Sequence, residues 1–163
     1  MTLLVFSDSH AGLRFMRRCV DFVKPDVLIH LGDCYDDGQV LAEEYPHIPL
    51  HAVAGNCDRY RCPPGTHELL CYSIGDVMTL MTHGHNQAVK SGIGGLVAEA
   101  KRYGASLALY GHTHKRDCRQ IDDLWVMNPG ACGSFAGSAG VVKISDSKVQ
   151  SCYFITAEDL EAK

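Results

Sequence analysis

Leu107-Ala108-Leu109-Tyr110-Gly111-His112-Thr113-His114 is the stretch on which the reading of this chain turns, because a short apolar run stops at a glycine and gives way to two imidazoles. The same grammar occurs four more times. Leu3 to Phe6 leads to Asp8-Ser9-His10, Val27 to Leu31 to Gly32-Asp33, His51 to Ala54 to Gly55-Asn56, and Met78 to Met81 to His83-Gly84-His85. Runs of this length bounded by glycine read as buried strands. In α/β proteins ligands collect outside the carboxyl ends of such strands, so these side chains can converge on one point. The pattern is that of a metal centre.

Between the first two runs, Leu13, Met16, Val20 and Val23 recur at helical spacing, with Phe15, Cys19 and Phe22 alongside, and Lys24-Pro25 ends the helix. A polar segment from Asp36 to Tyr45 carries a shorter helix, and the right-handed crossover rule makes the three early strands parallel neighbours or near neighbours. Glu68 to Ser73 and Val77 to Thr82 flank Ile74-Gly75-Asp76 as a hairpin, and a further helix is expected over about Gly95 to Tyr103. Three β-rich pieces close the chain, Leu124 to Met127, Gly140 to Ile144 and Val149 to Ile155. Alternating strands and helices early with strand pairs late predict an α/β fold. We expect a four-layer α/β/β/α sandwich of two mixed sheets with the site at the carboxyl ends of the strands, although periodicity alone equally allows three layers.

Composition narrows the partners. At 163 residues the chain is expected to form one domain over 1–163. Fifteen basic against 19 acidic residues, for a net charge of -4, give no basic stripe, so no nucleic-acid partner is expected. The opening Met1 to Phe6 has no basic region and too short an apolar run for a signal peptide, and no segment approaches the roughly 18 apolar residues of a membrane span. Eight cysteines without a Cys-x-x-Cys pair point to a reducing, cytoplasmic setting, with Cys19, Cys71 and Cys152 as small buried residues.

Of nine histidines, His30, His47, His51 and His67 read as ordinary core or surface groups, whereas His10, His83, His112 and His114 sit just past strand ends beside glycine or another small residue. Imidazole mixed with carboxylate and amide suits first-row ions, manganese first with nickel, iron or zinc as alternatives, better than the all-oxygen shells of calcium and magnesium. No thiolate cluster marks a structural zinc site. Asp8, His10, Asp33, Asn56, His83, His112 and His114 are more ligands than one tetrahedral ion takes. Two divalent ions sharing a bridging carboxylate would use them all.

Taken in order, Asp8-Ser9-His10, Gly32-Asp33, Gly55-Asn56-Cys57-Asp58, His83-Gly84-His85 and Gly111-His112-Thr113-His114 resemble the motif set of the calcineurin-like metallophosphoesterase superfamily. The length, the Gly-Asn-Cys-Asp variant and Asn128-Pro129-Gly130 resemble its small single-domain, YfcE-type phosphodiesterase branch. The resemblance covers about Leu3 to Ser145. It implies a first metal held by Asp8, His10, Asp33 and His114 and a second by Asp33, Asn56, His83 and His112, with Asp33 as the bridge. It also implies hydrolysis of a small-molecule phosphodiester by a metal-bridging hydroxide, and family analogy suggests a homo-oligomer.

Asn56, Cys57, Asp58 and His85 are the catalytic candidates that follow. Asn56 would both ligate and orient a substrate oxygen. Many relatives have Gly-Asn-His where this chain has Cys57, and a thiol of pKa about 8.5 is a poorer partner for a phosphoryl oxygen than imidazolium. His85 is the candidate replacement. The same difference weakens a phosphomonoesterase reading. A non-enzymatic alternative exists in the retromer subunit of this fold, a protein-interaction scaffold with degraded metal positions, but here every ligand position is filled. Gly92-Ile93-Gly94-Gly95 does not complete a dinucleotide fingerprint, since Val97 breaks the pattern, and reads instead as a helix start near the site. Gly130-Ala131-Cys132-Gly133-Ser134 departs from the Asn-Pro-Gly-Ser of relatives, which leaves that loop's substrate contacts open.

Overall fold

In the computed structural model, which describes residues 1–133 and 137–161, β1 (Thr2–Phe6) is the middle strand of one sheet because it can bury both of its faces. Leu3 and Val5 point to one side and Leu4 and Phe6 to the other, all at most 1% exposed. Such two-faced burial is what a continuous apolar run supplies to a parallel strand. β2 (Val27–His30) and β3 (Leu50–Ala52) extend the sheet in parallel, and β9 (Ser138–Ser145) and β10 (Lys148–Thr156) extend it antiparallel on the other side. The order is β10-β9-β1-β2-β3.

The second sheet is built around β6 (Leu107–Leu109), with β5 (Val77–Thr82) and β8 (Leu124–Pro129) parallel on either side. β4 (Leu69–Ile74) forms the expected hairpin with β5 through Gly75-Asp76, and β7 (Arg116–Ile121) pairs with β8 at the far edge, giving the order β4-β5-β6-β8-β7.

Three apolar layers hold the four structural ones. Leu3, Val5, Ile29, Val142 and Ile144 of the first sheet meet Val77, Met81, Leu107, Leu109 and Met127 of the second in the central layer. On the outer face of the first sheet lie α1 (Leu13–Val23), α2 (Tyr35–Glu44) and the short α4 (Ala157–Glu161), with Met16, Cys19 and Leu41 facing Leu4, Phe6 and Leu28. On the outer face of the second lies α3 (Gly94–Arg102), whose Leu96 and Ala100 pack on Leu80, Ala108 and Val126. The four-layer expectation holds, and the three-layer alternative does not.

Sequence periodicity missed two elements. β7 reads Arg-Asp-Cys-Arg-Gln-Ile and lies at a sheet edge, where one side of its backbone and half of its side chains face solvent, so it needs no apolar alternation. α4 is a five-residue helix with no fully buried residue. Ser134, the end of the variant Gly130–Ser134 loop, lies outside the described residues, as do residues 162 and 163.

One buried polar group ties the first sheet to α2. His30 is completely buried on the helix side of β2; its Nδ1 accepts from Gly32 N–H at 3.3 Å, which leaves Nε2–H to meet Ser9 Oγ at 3.1 Å. Ser9 in turn donates to Asp37 Oδ2 at 2.7 Å, and that oxygen also accepts the Ala11 N–H at 3.0 Å. Burial pushes the His30 imidazole down to about 4, against the opposing pull of Asp58, Asp37 and Asp8. Above about pH 6.5 the ring is neutral folded and unfolded alike. Between there and about pH 4 only the unfolded chain takes up the proton, so stability falls as the medium is acidified. From pH 7 to pH 5, urea unfolding should show the native chain losing about 2 kcal/mol more than His30→Gln; equal losses would remove His30 as the cause.

Candidate metal centre

Parallel pairing sets the carboxyl ends of β1, β2 and β3 side by side, and those of β5 and β6 likewise in the facing sheet. The loops leaving them are locked together by backbone bonds, Asp8 N to Gly32 O at 3.0 Å and Gly111 N to His83 O at 3.0 Å. His83 crosses between the sheets to place Nδ1 2.8 Å from the Leu31 carbonyl. A carbonyl can only accept, so Nδ1 carries the proton and Nε2 is free to ligate.

Side chains gather into two groups whose ligand atoms all lie within 4.8 Å of one another, Asp8 with His10 and His114, and Asp8 with Asp33 and His83. His112 joins the second group, its Nδ1 3.2 Å from His83 Nε2, and Asp33 Oδ2 lies 3.5 Å from the same nitrogen. Asp8 is common to both groups in this arrangement, whereas the resemblance gives the shared position to Asp33. Five of the seven candidate ligands hold left-handed backbone, Asp8 at φ 53°, His10 at 38°, Asp33 at 55°, His112 at 68° and His114 at 59°. Strain of this kind costs on the order of 1 kcal/mol or more per residue and collects at functional sites.

Two glycines make the approach possible. A Cβ on Gly55 would collide with Asp33 Oδ1, and one on Gly111 with Ser7 Oγ. Asp8 Oδ2 is consequently held by Ser7 Oγ at 2.6 Å and by His112 N–H at 3.1 Å. Its Oδ1 is buried and accepts no hydrogen bond, although His114 Nε2 stands 3.0 Å away. A buried carboxylate oxygen without a donor is costly unless a cation supplies the missing charge. That orphaned oxygen, between imidazoles and a second carboxylate, fits divalent first-row metal in both donor number and donor type.

The electrostatics agree. Burial alone would raise the Asp33 carboxyl, but His83 and the Cys57 backbone N–H, 2.9 Å from Oδ1, hold it well below the usual carboxylate range. His83 is lowered by burial and raised by Asp33 and Asp8, with the raising side prevailing. Burial and the neighbouring His83 push His112 and His85 down, so both rings are disposed to be neutral ligands or donors.

The catalytic candidates fall into different places. Asn56 is exposed on the rim, its Nδ2 3.4 Å from Cys57 Sγ. Cys57 is also exposed, and burial and the Asp33 carboxylate push its thiol up, so it stays protonated near neutrality. His85 lies beside the second group, its ring centre 5.6 Å from that of His83 and 6.2 Å from that of His112, with Nε2 3.8 Å from Glu68 and a buried Nδ1 that has no partner. Asp58 differs from all of these. It is 0% exposed, Oδ2 accepts from Asp33 N and Gly55 N at 2.8 Å each, and Oδ1 accepts from Tyr35 N at 2.9 Å. Its carboxylate is committed to the backbone of the ligand loops and does not face the mouth of the site.

Ser7 and Asn128 are positioning groups that strand grammar did not single out. Asn128 Nδ2 bonds the Gly111 carbonyl at 2.8 Å and Thr113 Oγ1 at 3.0 Å, and its Oδ1 accepts from Gly130 N–H, clamping the Gly-His-Thr-His turn. His47 and His67 are exposed and His51 bonds Tyr72 at 2.6 Å, so all three stay outside the centre as expected.

A sequence model of the calcineurin-like phosphoesterase superfamily domain matches residues 1–147, and the chain belongs to that superfamily. Within it the chain groups with small metallophosphoesterases. Phosphodiesterase MJ0936 of Methanocaldococcus jannaschii is 26% identical over 167 residues, spanning 91% of this chain and 94% of that one. A predicted phosphoesterase from Streptococcus pneumoniae TIGR4, of known crystal structure, superposes with a TM-score of 0.78 at 27% identity over 96% of this chain and 90% of its own. The Zn2+ complex of Vps29 from Entamoeba histolytica shares the fold, with a TM-score of 0.74 at 18% identity over 96% and 99% of the two chains.

Proposed function

We propose that this phosphoesterase is a binuclear-metal-dependent phosphodiesterase acting on a small-molecule diester, with manganese as the leading ion. The observation that carries the proposal is the orphaned Asp8 Oδ1 standing where two ligand groups meet. As the resemblance implies, Asp8, His10 and His114 would hold one ion and His83, His112 and Asn56 the other, with Asp33 between them, while the geometry here also sets Asp8 within reach of both groups. When bound, two such ions lower the pKa of water and neutralise charge on the phosphoryl oxygens.

The chain's own residues supply the rest. Leu31 fixes the His83 tautomer, Asp58 fixes the loops that carry Asp33 and Asn56, and Ser7 turns Asp8 so that only Oδ1 faces the site. The Asn56 amide orients a phosphoryl oxygen from the rim. Cys57, a neutral thiol, replaces the imidazole that would favour a dianionic monoester, which supports the diester.

His85 is the remaining candidate donor near the leaving group, acting through the protonated form that its lowered pKa makes scarcer at neutral pH. His85→Ala should lower turnover of an alkyl diester about tenfold more than that of a nitrophenyl diester, since only the alkoxide needs a proton. An equal loss on both would assign His85 to packing instead.

The reading as a whole is tested by stripping the protein of metal and assaying an aryl phosphodiester and the matching monoester as each divalent ion is returned. Restored hydrolysis with the diester favoured is the expected result. Bound metal without hydrolysis by any ion would favour the interaction scaffold.

A further inference from the structure

Beside the metal centre lies a cleft of about 660 Å³, formed between the 89–93 loop ahead of α3 and the edge strand β7. Lys90, Lys115, Arg116 and Arg119 line it, along with Thr113 and Tyr110. Thr113 lies between the two ligands of the Gly-His-Thr-His turn and Lys115 directly follows the second, so the cleft starts where the metal centre ends.

Four cations on one cleft stand out in a chain of net charge -4. The acid beside them does not compensate. Asp117 accepts from the Tyr110 hydroxyl at 2.7 Å and from Arg119 through two bonds of 2.8 Å, so its single charge is matched by Arg119 and not by Lys90, Lys115 or Arg116. Among the described residues Lys90, Lys115 and Arg116 have no carboxylate within 4 Å, although Arg116 acts on Asp159 from farther away. The Arg116 guanidinium sits 5.9 Å from the centre of the Phe154 ring of β10, so its head leans toward the first sheet and Lys90 and Lys115 are the unpaired cations of the cleft. Like charges gathered without counter-charge repel, and a concave surface focuses their field on whatever anion enters. The volume suits a ligand group of nucleotide or smaller size.

We propose that this cleft receives the part of the substrate beyond the scissile phosphate and selects diesters that carry a second anionic group there, a phosphate or a carboxylate. The inference rests on the phosphodiesterase reading above. It gives a role to β7 and to the glycine-rich loop before α3, neither of which the metal centre uses.

The test compares 4-nitrophenyl phenyl phosphate with 4-nitrophenyl 4-carboxyphenyl phosphate and with its 4-phosphonophenyl counterpart, in manganese-loaded enzyme at low ionic strength. The expected result is a kcat/KM at least about tenfold higher for either anionic diester, shrinking as salt screens the cleft. In Lys90→Glu/Lys115→Glu the ratio should fall to one or below, because both side chains are exposed and the fold does not depend on them. The carboxylate and phosphonate arms separate a preference for charge alone from one for phosphate geometry. Equal kcat/KM on all three substrates, or a preference that the double variant leaves intact, would overturn this inference and leave the phosphodiesterase reading standing. Failure to hydrolyse any of them with any divalent ion would overturn both.

Discussion

Asp33→Asn should lower diester hydrolysis by at least about 10³-fold and weaken metal binding, while the chain stays folded. The carboxylate stands 3.5 Å from His83 Nε2 and belongs to the group that also contains Asp8. Replacing it removes one negative charge from the ligand set, and a metal's share of transition-state charge stabilisation is several kcal/mol, with about 1.4 kcal/mol to each factor of ten. Asparagine is the informative substitution because it tolerates the left-handed backbone of this position, φ 55°, and its Oδ1 can still accept the Cys57 N–H. Activity assays together with elemental analysis and thermal unfolding check the three parts separately. Full activity in Asp33→Asn would remove Asp33 from the centre.

The second large effect is expected on stability. Asp58→Ala leaves the buried N–H groups of Asp33 and Gly55 and the half-buried one of Tyr35 without their acceptor. Bonds to a charged acceptor are worth roughly 1.5–3 kcal/mol each, and buried donors left unpaired cost more than the bond itself gave. A loss of about 4 kcal/mol or more in urea unfolding is the expected outcome, with activity lost alongside it because these amides set the loops that carry Asp33 and Asn56. Asp58→Asn should recover part of the loss, since its one amide oxygen can keep the Asp33 and Gly55 bonds while its NH2 faces the Tyr35 N–H. A substitution that abolished turnover yet left stability unchanged would place Asp58 in contact with substrate.

What could be read from sequence follows from what each residue must satisfy. Leu3 to Phe6 and Leu107 to Leu109 are legible because a parallel strand between two layers must be apolar on both faces. The ligands are legible because each must leave such a strand through a sharp turn, which puts glycine or another small residue beside it. Arg116–Ile121 is not legible as a strand because an edge position imposes no such pattern, and its bases become meaningful only once the fold sets them opposite Lys90. Asp58 shares the spacing of a catalytic motif. Only the three amides that converge on it distinguish a residue that holds the loops from one that touches substrate. The roles of Ser7, Ser9 and Asn128 likewise lie in partners distant along the chain, as with Ser9 between His30 and Asp37.

In the proposed function the strand-end ligands act as one binuclear, catalytic centre. It is tested most directly by titrating metal-free protein with Mn2+ while measuring bound ions per chain and diester hydrolysis on the same samples. Two ions per chain are expected, with hydrolysis rising to its full value as the second binds, and loss of both in Asp33→Asn. Saturation at two ions with no hydrolysis, or full hydrolysis with one, would contradict it.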